Sequence, residues 1–139
     1  MNPVQLFLAH RLRTAESNFD AAATRAERID DLADLMRAAQ VTVSVELRGV
    51  IRGTPGYRRL KSVINRRARD LVQKDLDALK AMRPSEGQSR EDFIADVRRA
   101  FGELKHDRWL PLRGNEPLVL TNACREAETI IATHMRASR

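Results

Sequence analysis

The chain has 139 residues, which is enough for one domain with a real hydrophobic core. Its 42% hydrophobic and 32% charged residues argue against a disordered protein, and no apolar run approaches the length of a transmembrane helix or a signal peptide. The single cysteine, Cys124, excludes an internal disulfide and favours a reducing compartment, so we expect a cytoplasmic protein. The formal net charge of +6 is concentrated, because residues 48–74 hold nine basic residues and one acidic residue, Asp70.

A heptad pattern predicts the first helix. The scarcity of aromatic residues in the whole sequence also favours helices. Within residues 3–39, apolar residues recur at alternating spacings of four and three. They are Leu8, Leu12, Ala15, Phe19, Ala22, Ala26, Ile29, Ala33 and Met36, here called the heptad seam. We expect one long helix, because a break would have to preserve the register by chance; the alternative is a helix pair, with the second helix capped within residues 17–20. The seam is interpreted as a core-facing stripe or, alternatively, as a homodimer contact.

Residues 41–48 alternate between apolar and polar residues, which is typical of a strand, but they also offer apolar positions at helical spacing. A strand here would need a partner, for which residues 117–120 are the best candidate. We favour a short helix or an irregular connector and keep the small β element as the alternative. A helix-turn-helix would also have this order of elements, but Arg48, Arg58 and Lys61 fall where that motif needs small or apolar residues.

A second long helix is predicted from Thr54, a suitable N-cap, because Pro55 follows at the first helical position. It should end near Arg83, since Pro84 disfavours helix in the residue before it.

Two shorter helices are predicted downstream. Ser89 is a good N-cap for a third helix that fades near His106, and Thr121 or Asn122 is expected to cap a last helix through about Arg136. We therefore predict an all-α or mainly α single domain, residues 1–139. In this bundle a long N-terminal helix packs on a second long basic helix, and two shorter helices complete the fold.

The second long helix carries the main candidate site. On a helical wheel, basic and polar side chains collect opposite the apolar stripe. They are Arg58, Arg59, Ser62, Arg66, Arg69 and Gln73, with Tyr57 beside them, and we call this set the arginine strip. Arginine suits bidentate recognition of phosphate or carboxylate, and a phosphate could also approach the backbone amides near Gly56. The alternative is a solvated face whose arginines pair with the acidic residues of segment 16–34.

Trp109 suggests a second candidate contact. As the only tryptophan, beside Leu110 and Pro111, it predicts an apolar plug beneath the loop of residues 109–117. The alternative is an exposed anchor for a partner, with Arg113 on its rim, because Trp and Arg dominate interface hot spots.

Catalytic and metal-binding patterns are weak. The three histidines, His10, His106 and His134, lie in separate segments, and Cys124 and His134 point in different directions on one helix. The acidic residues 30, 31 and 34 are interpreted as an acidic helix surface. We expect a protein that is not an enzyme and needs no cofactor or metal.

Two functions remain after these exclusions. The first is a nucleic-acid-binding regulator that contacts phosphates through the arginine strip. The second is a small protein-binding adaptor or inhibitor, of the kind that phages or other mobile elements encode, which uses the same basic surface on an acidic protein to block nucleic-acid-processing machinery. We expect no membrane partner.

Overall fold

The computed structural model describes residues 2–137, and over that range the chain is all-α. Its five α-helices are α1 (Pro3–Ala26), α2 (Leu32–Ala38), α3 (Pro55–Ala81), α4 (Arg90–Glu103) and α5 (Pro117–Ala137). The predicted helical bundle, with a long N-terminal helix packed on a long basic helix, is confirmed. No strand occurs between residues 2 and 137, so the alternative β element at 41–48 and 117–120 is wrong.

The backbone divides into two compact units, Met1–Arg67 and Ala68–Arg139. The first contains α1, α2 and the connector that leads to α3, and the second contains α4 and α5. Helix α3 contributes its residues 55–67 to the first unit and its residues 68–81 to the second. Within the described part of the chain, no helix is long and apolar enough to cross a membrane.

Helix α1 begins as the sequence predicts but ends earlier. Asn2 caps it by accepting a hydrogen bond from the Gln5 backbone N–H at 2.8 Å, while the Gln5 side chain accepts one from the Asn2 N–H. The helix stops at Ala26, and α2 begins after Asp31, whose carboxylate accepts from the Asp34 N–H at 2.9 Å. The predicted single helix over residues 3–39 is therefore wrong, and so is the alternative cap at residues 17–20.

The heptad seam faces the core of the first unit. Five of its members are buried: Ala15, Phe19, Ala22, Ala26 and Met36. Leu8 and Leu12 are half-buried, and ahead of them α1 exposes Val4, Leu6 and Phe7. The core-facing interpretation thus accounts for the seam. A homodimer contact along its whole length would need side chains that this chain already covers.

The segment before α3 is an irregular connector, as we favoured. It holds two short 3-10 turns, Val45–Leu47 and Ile51–Gly53, and has no α-helix to serve as the first half of a helix-turn-helix. Leu47 and Ile51 are buried and anchor it. The Thr54 hydroxyl donates to the Ile51 carbonyl oxygen at 2.6 Å, and the Thr54 carbonyl oxygen accepts from the Arg58 N–H at 3.1 Å, so this residue links the connector to the start of α3.

The second unit follows the predicted order with shifted boundaries. The Ser89 hydroxyl accepts from the Asp92 N–H at 3.1 Å, which confirms the cap of α4. A π-helical turn, Leu104–Arg108, and a 3-10 turn, Leu110–Leu112, follow α4. Helix α5 begins at Pro117, so the predicted cap at residues 121–122 is wrong. The fixed backbone angle of proline suits the first helical position, and the last helix therefore starts one turn earlier.

A candidate anion-binding surface

Two arginines of the arginine strip are paired with acidic residues of α1. The Arg59 guanidinium lies 3.3 Å from the Asp20 carboxylate, and Arg66 forms an ion pair with Glu27. Both arginine side chains remain about half exposed. For these two positions the structure supports the alternative interpretation, in which the basic face is balanced by the acids of residues 16–34.

Arg67, which the sequence analysis missed, holds the turn between α1 and α2. Its Nη2 donates to the Ile29 carbonyl oxygen at 2.7 Å and to the Asp30 carboxylate at 3.0 Å, and its side chain is only 14% exposed. The signal was available, because Arg67 lies three residues after Ile64 and four before Leu71, inside the apolar stripe of α3. A charged residue in that position needs hydrogen-bond partners, which the turn supplies.

The first turn of α3 already holds a carboxylate. The Gly56 N–H donates to Oε2 of Glu16 at 2.7 Å, where we expected a phosphate to approach. A Cβ atom at Gly56 would lie 2.4 Å from that oxygen, so this close approach requires glycine. An acidic group at a helix N-terminus is favourable, and the chain supplies its own. The expectation of an open amide site near Gly56 is therefore wrong.

Four other cations around the start of α3 remain open to solvent. They are Arg48, Arg52, Arg58 and Lys61, and we call them the exposed basic cluster. All four are exposed, and within residues 2–137 none of them forms an ion pair. The segment that carries them, residues 48–61, contains no acidic residue. The structure thus leaves four exposed cations, and no acidic side chain, along the end of the connector and the first two turns of α3.

The remaining members of the arginine strip have different surroundings. Tyr57 is half-buried and packs edge-on against Phe19, with ring centroids 5.7 Å apart. Ser62 and Arg69 are exposed, and the Gln73 amide donates to the Asp77 carboxylate at 2.9 Å. The strip is therefore not one uniform surface, and its role in binding stays a prediction.

Trp109 is fully buried in the second unit. Its indole N–H donates to Oδ2 of Asp75 at 3.0 Å, and Arg108 donates to the same carboxylate at 2.8 Å. The apolar-plug interpretation fits this environment. The exposed-anchor alternative is wrong for Trp109, because its ring offers no surface to a partner; Arg113 is exposed and stays a predicted contact.

The thiol and imidazole groups of α5 lie in packing environments. Cys124 is half-buried, and burial raises the pKa of its thiol. His134 is buried, with its Nε2 3.0 Å from the Leu79 carbonyl oxygen and its ring edge-on to Phe93. No group of three or more His, Cys, Asp or Glu side chains that could hold a metal ion occurs in the part of the chain that the structure describes.

The geometry therefore separates two kinds of cation on and before α3. Arg59, Arg66 and Arg67 contact acidic or carbonyl groups of the first unit, whereas the exposed basic cluster has no ion pair within residues 2–137.

The chain matches no protein-family model, no curated protein and no solved structure.

Proposed function

We propose that this protein is a non-enzymatic, nucleic-acid-binding regulator whose exposed basic cluster contacts phosphate groups. The observation that carries the proposal is the gathering of Arg48, Arg52, Arg58 and Lys61 in one acid-free segment where none has an ion-pair partner among the described residues. Such a surface attracts a phosphate backbone through charge and by itself carries no information about sequence. The binding should therefore be salt-dependent and tolerant of sequence.

The paired arginines of the strip are proposed as secondary contacts. The ion pairs of Arg59 and Arg66 are about half exposed, and pairs of this kind contribute only about 0–1 kcal/mol. A phosphate could replace Asp20 or Glu27 as the partner with little loss of stability. Arg69, exposed on the same helix, stays a proposed contact.

The test is a fluorescence-anisotropy titration with duplex DNA, single-stranded DNA and RNA over a range of salt concentrations. If the cluster contacts about four phosphates, the logarithm of the association constant for duplex DNA should fall with a slope of roughly −3 to −4 against the logarithm of salt concentration. The double variant Arg58→Glu, Lys61→Glu should bind at least about tenfold more weakly at low salt, because two attractive contacts become repulsive.

A matched control keeps the change in net charge the same. Arg37→Glu with Arg99→Glu alters two arginines that are also exposed but are each paired with an aspartate three residues earlier. We expect this control to weaken binding by less than about threefold. Equal losses in the two double variants, or an affinity that does not depend on salt, would contradict the proposal.

A second candidate function is supported by two exposed valines. Val45 is 69% exposed and Val50 is 57% exposed, on either side of Arg48. Apolar side chains around an arginine are more typical of a protein interface than of a phosphate-binding surface. This observation favours the alternative of an adaptor or inhibitor that binds an acidic protein of the nucleic-acid-processing machinery.

Affinity capture from the native host, with and without nuclease treatment, separates the two functions. A partner that is released by nuclease supports nucleic-acid binding. A single protein that survives nuclease treatment supports the second function, provided that it is lost with Val45→Ser, Val50→Ser. The control Leu118→Ser, at a residue of the second unit that is 70% exposed, should retain it.

A further inference from the structure

The second unit contains an open cavity of about 480 Å³. It lies at the end of α3 and is also bordered by α4 and by the last turns of α5. Its lining includes Lys80, Arg83, Phe93, Ile130, Thr133 and His134. The volume is within the range of small-molecule sites, which is roughly 300–1,000 Å³.

The floor of this cavity is apolar and ordered by packing. Phe93 and Ile130 are buried, and Met82 and Pro84 complete the apolar lining. The Phe93 ring stands edge-on to His134, with centroids 5.3 Å apart, which fixes both rings. A floor of this composition suits an aromatic or aliphatic body.

The polar part of the lining is cationic. Among the described residues no acidic side chain lines the cavity, whereas Lys80 and Arg83 do. Lys80 is exposed and forms no ion pair within the same residues. Carbonyl groups at the end of a helix would ordinarily repel an anion.

At the end of α3, however, nearby donors already contact three of the carbonyl oxygens. The Leu79 oxygen faces His134 Nε2 at 3.0 Å, and since a carbonyl only accepts, this nitrogen must donate. Arg83 Nη1 donates to the oxygens of Lys80 at 3.1 Å and Met82 at 2.8 Å. The negative end of the helix is thereby offset, and the Lys80 ammonium group remains for a ligand.

We propose that this cavity is a binding site for a small amphipathic anion. The apolar body of the ligand would lie against Phe93 and Ile130, and its carboxylate, sulfonate or phosphate would pair with Lys80 at the rim. The charge and the apolar floor together select this class over neutral polar molecules and over cations. The site lies in the second unit and does not depend on the proposed nucleic-acid function.

Two fluorescent probes test the proposal: the anion anilinonaphthalene sulfonate and the neutral phenylnaphthylamine. We expect the anion to bind saturably with one-to-one stoichiometry. Lys80→Glu should weaken the anion about tenfold and the neutral probe less than about twofold, because only the anion pairs with the ammonium group. Lys74→Glu is the matched control, since it makes the same charge change at an exposed position of α3 outside the cavity lining.

A cavity-filling variant locates the site independently of charge. Thr133 is exposed and lines the cavity, so Thr133→Trp should abolish binding of both probes while circular dichroism shows an unchanged fold. In the unaltered protein, saturation with the anion should also shift the His134 ring resonances. Equal effects of Lys80→Glu and Lys74→Glu, or His134 resonances that do not move on saturation, would overturn the proposal.

Discussion

The exposed basic cluster and the paired arginines of α3 have the same residue chemistry but different surroundings. Arg59, Arg66 and Arg67 face the acidic residues of α1 and the turn that follows it. Arg48, Arg52, Arg58 and Lys61 have no such partner within the described residues. The positive charge that is available to a ligand is therefore smaller than the formal charge of residues 48–74, because ion pairs within the protein neutralise part of it. Substitutions of the paired arginines should mainly lower stability, whereas substitutions in the exposed basic cluster should mainly weaken ligand binding.

The largest expected effect is loss of stability in Arg67→Ala. The substitution leaves the Ile29 carbonyl without this donor and removes a mostly buried side chain. The free energy of unfolding should therefore fall by about 2–3 kcal/mol. Urea denaturation monitored by circular dichroism measures the change. Arg58→Ala is the control on the same helix and should change stability by less than about 0.5 kcal/mol. Similar losses in both variants would remove the distinction between the two groups.

A smaller effect is expected for Gly56→Ala. The new methyl group would meet Oε2 of Glu16, so the hydrogen bond from the Gly56 N–H should be lost at a cost of about 1–2 kcal/mol. Glu16→Ala removes the carboxylate but leaves the backbone oxygen of residue 16 at 3.1 Å from the new Cβ atom, so in that background the same Gly56→Ala change should cost clearly less, with the helix preference of alanine offsetting part of it. Urea denaturation of the unaltered protein, the two single variants and the double variant gives the coupling free energy between residues 16 and 56. An equal loss in both backgrounds would show that the Glu16 contact does not matter.

The smallest expected effect concerns Glu46, at the edge of the exposed basic cluster. A hydrogen bond from its own backbone N–H lowers the pKa of this carboxyl group, and the charge of Arg11 lowers it further. Because the folded-state pKa is lowered, the associated stability is present above the unfolded-state pKa and is lost as pH falls through the folded-state pKa. Arg11→Ala should move the pKa part of the way back, whereas Arg48→Ala should leave it unchanged. Carboxyl NMR titration measures both; a larger response to Arg48→Ala would show that the cluster has an internal anion.

Helix starts with clear capping chemistry were predictable from the sequence. Pro55 and Ser89 each marked a start that the structure confirms. The break between α1 and α2 was not predictable from periodicity, because the apolar spacing continues across it. Asp31, which the sequence analysis assigned to an acidic helix surface, is the N-cap of α2.

The sequence predicted which basic residues form the candidate site, but not which of them are paired with acidic residues inside the protein. The sequence showed that segment 16–34 holds enough acid to pair with arginines of α3, but the choice of Asp20 and Glu27 depends on how α1 lies against α3. The Glu16 contact with Gly56 joins residues forty positions apart and depends on the same packing. Pairing over such separations is a tertiary property, which local patterns do not encode.

The most direct test of the account compares two double variants in the salt dependence of duplex-DNA binding. Arg58→Ala with Lys61→Ala removes two cations of the exposed basic cluster, and Arg59→Ala with Arg66→Ala removes two paired cations and the same net charge. We expect the first pair to reduce the steepness of the log–log salt slope by about 2, whereas the second should reduce it by less than about 1. Equal reductions, or a larger reduction in the second pair, would contradict the claim that the unpaired cations are the main phosphate contacts.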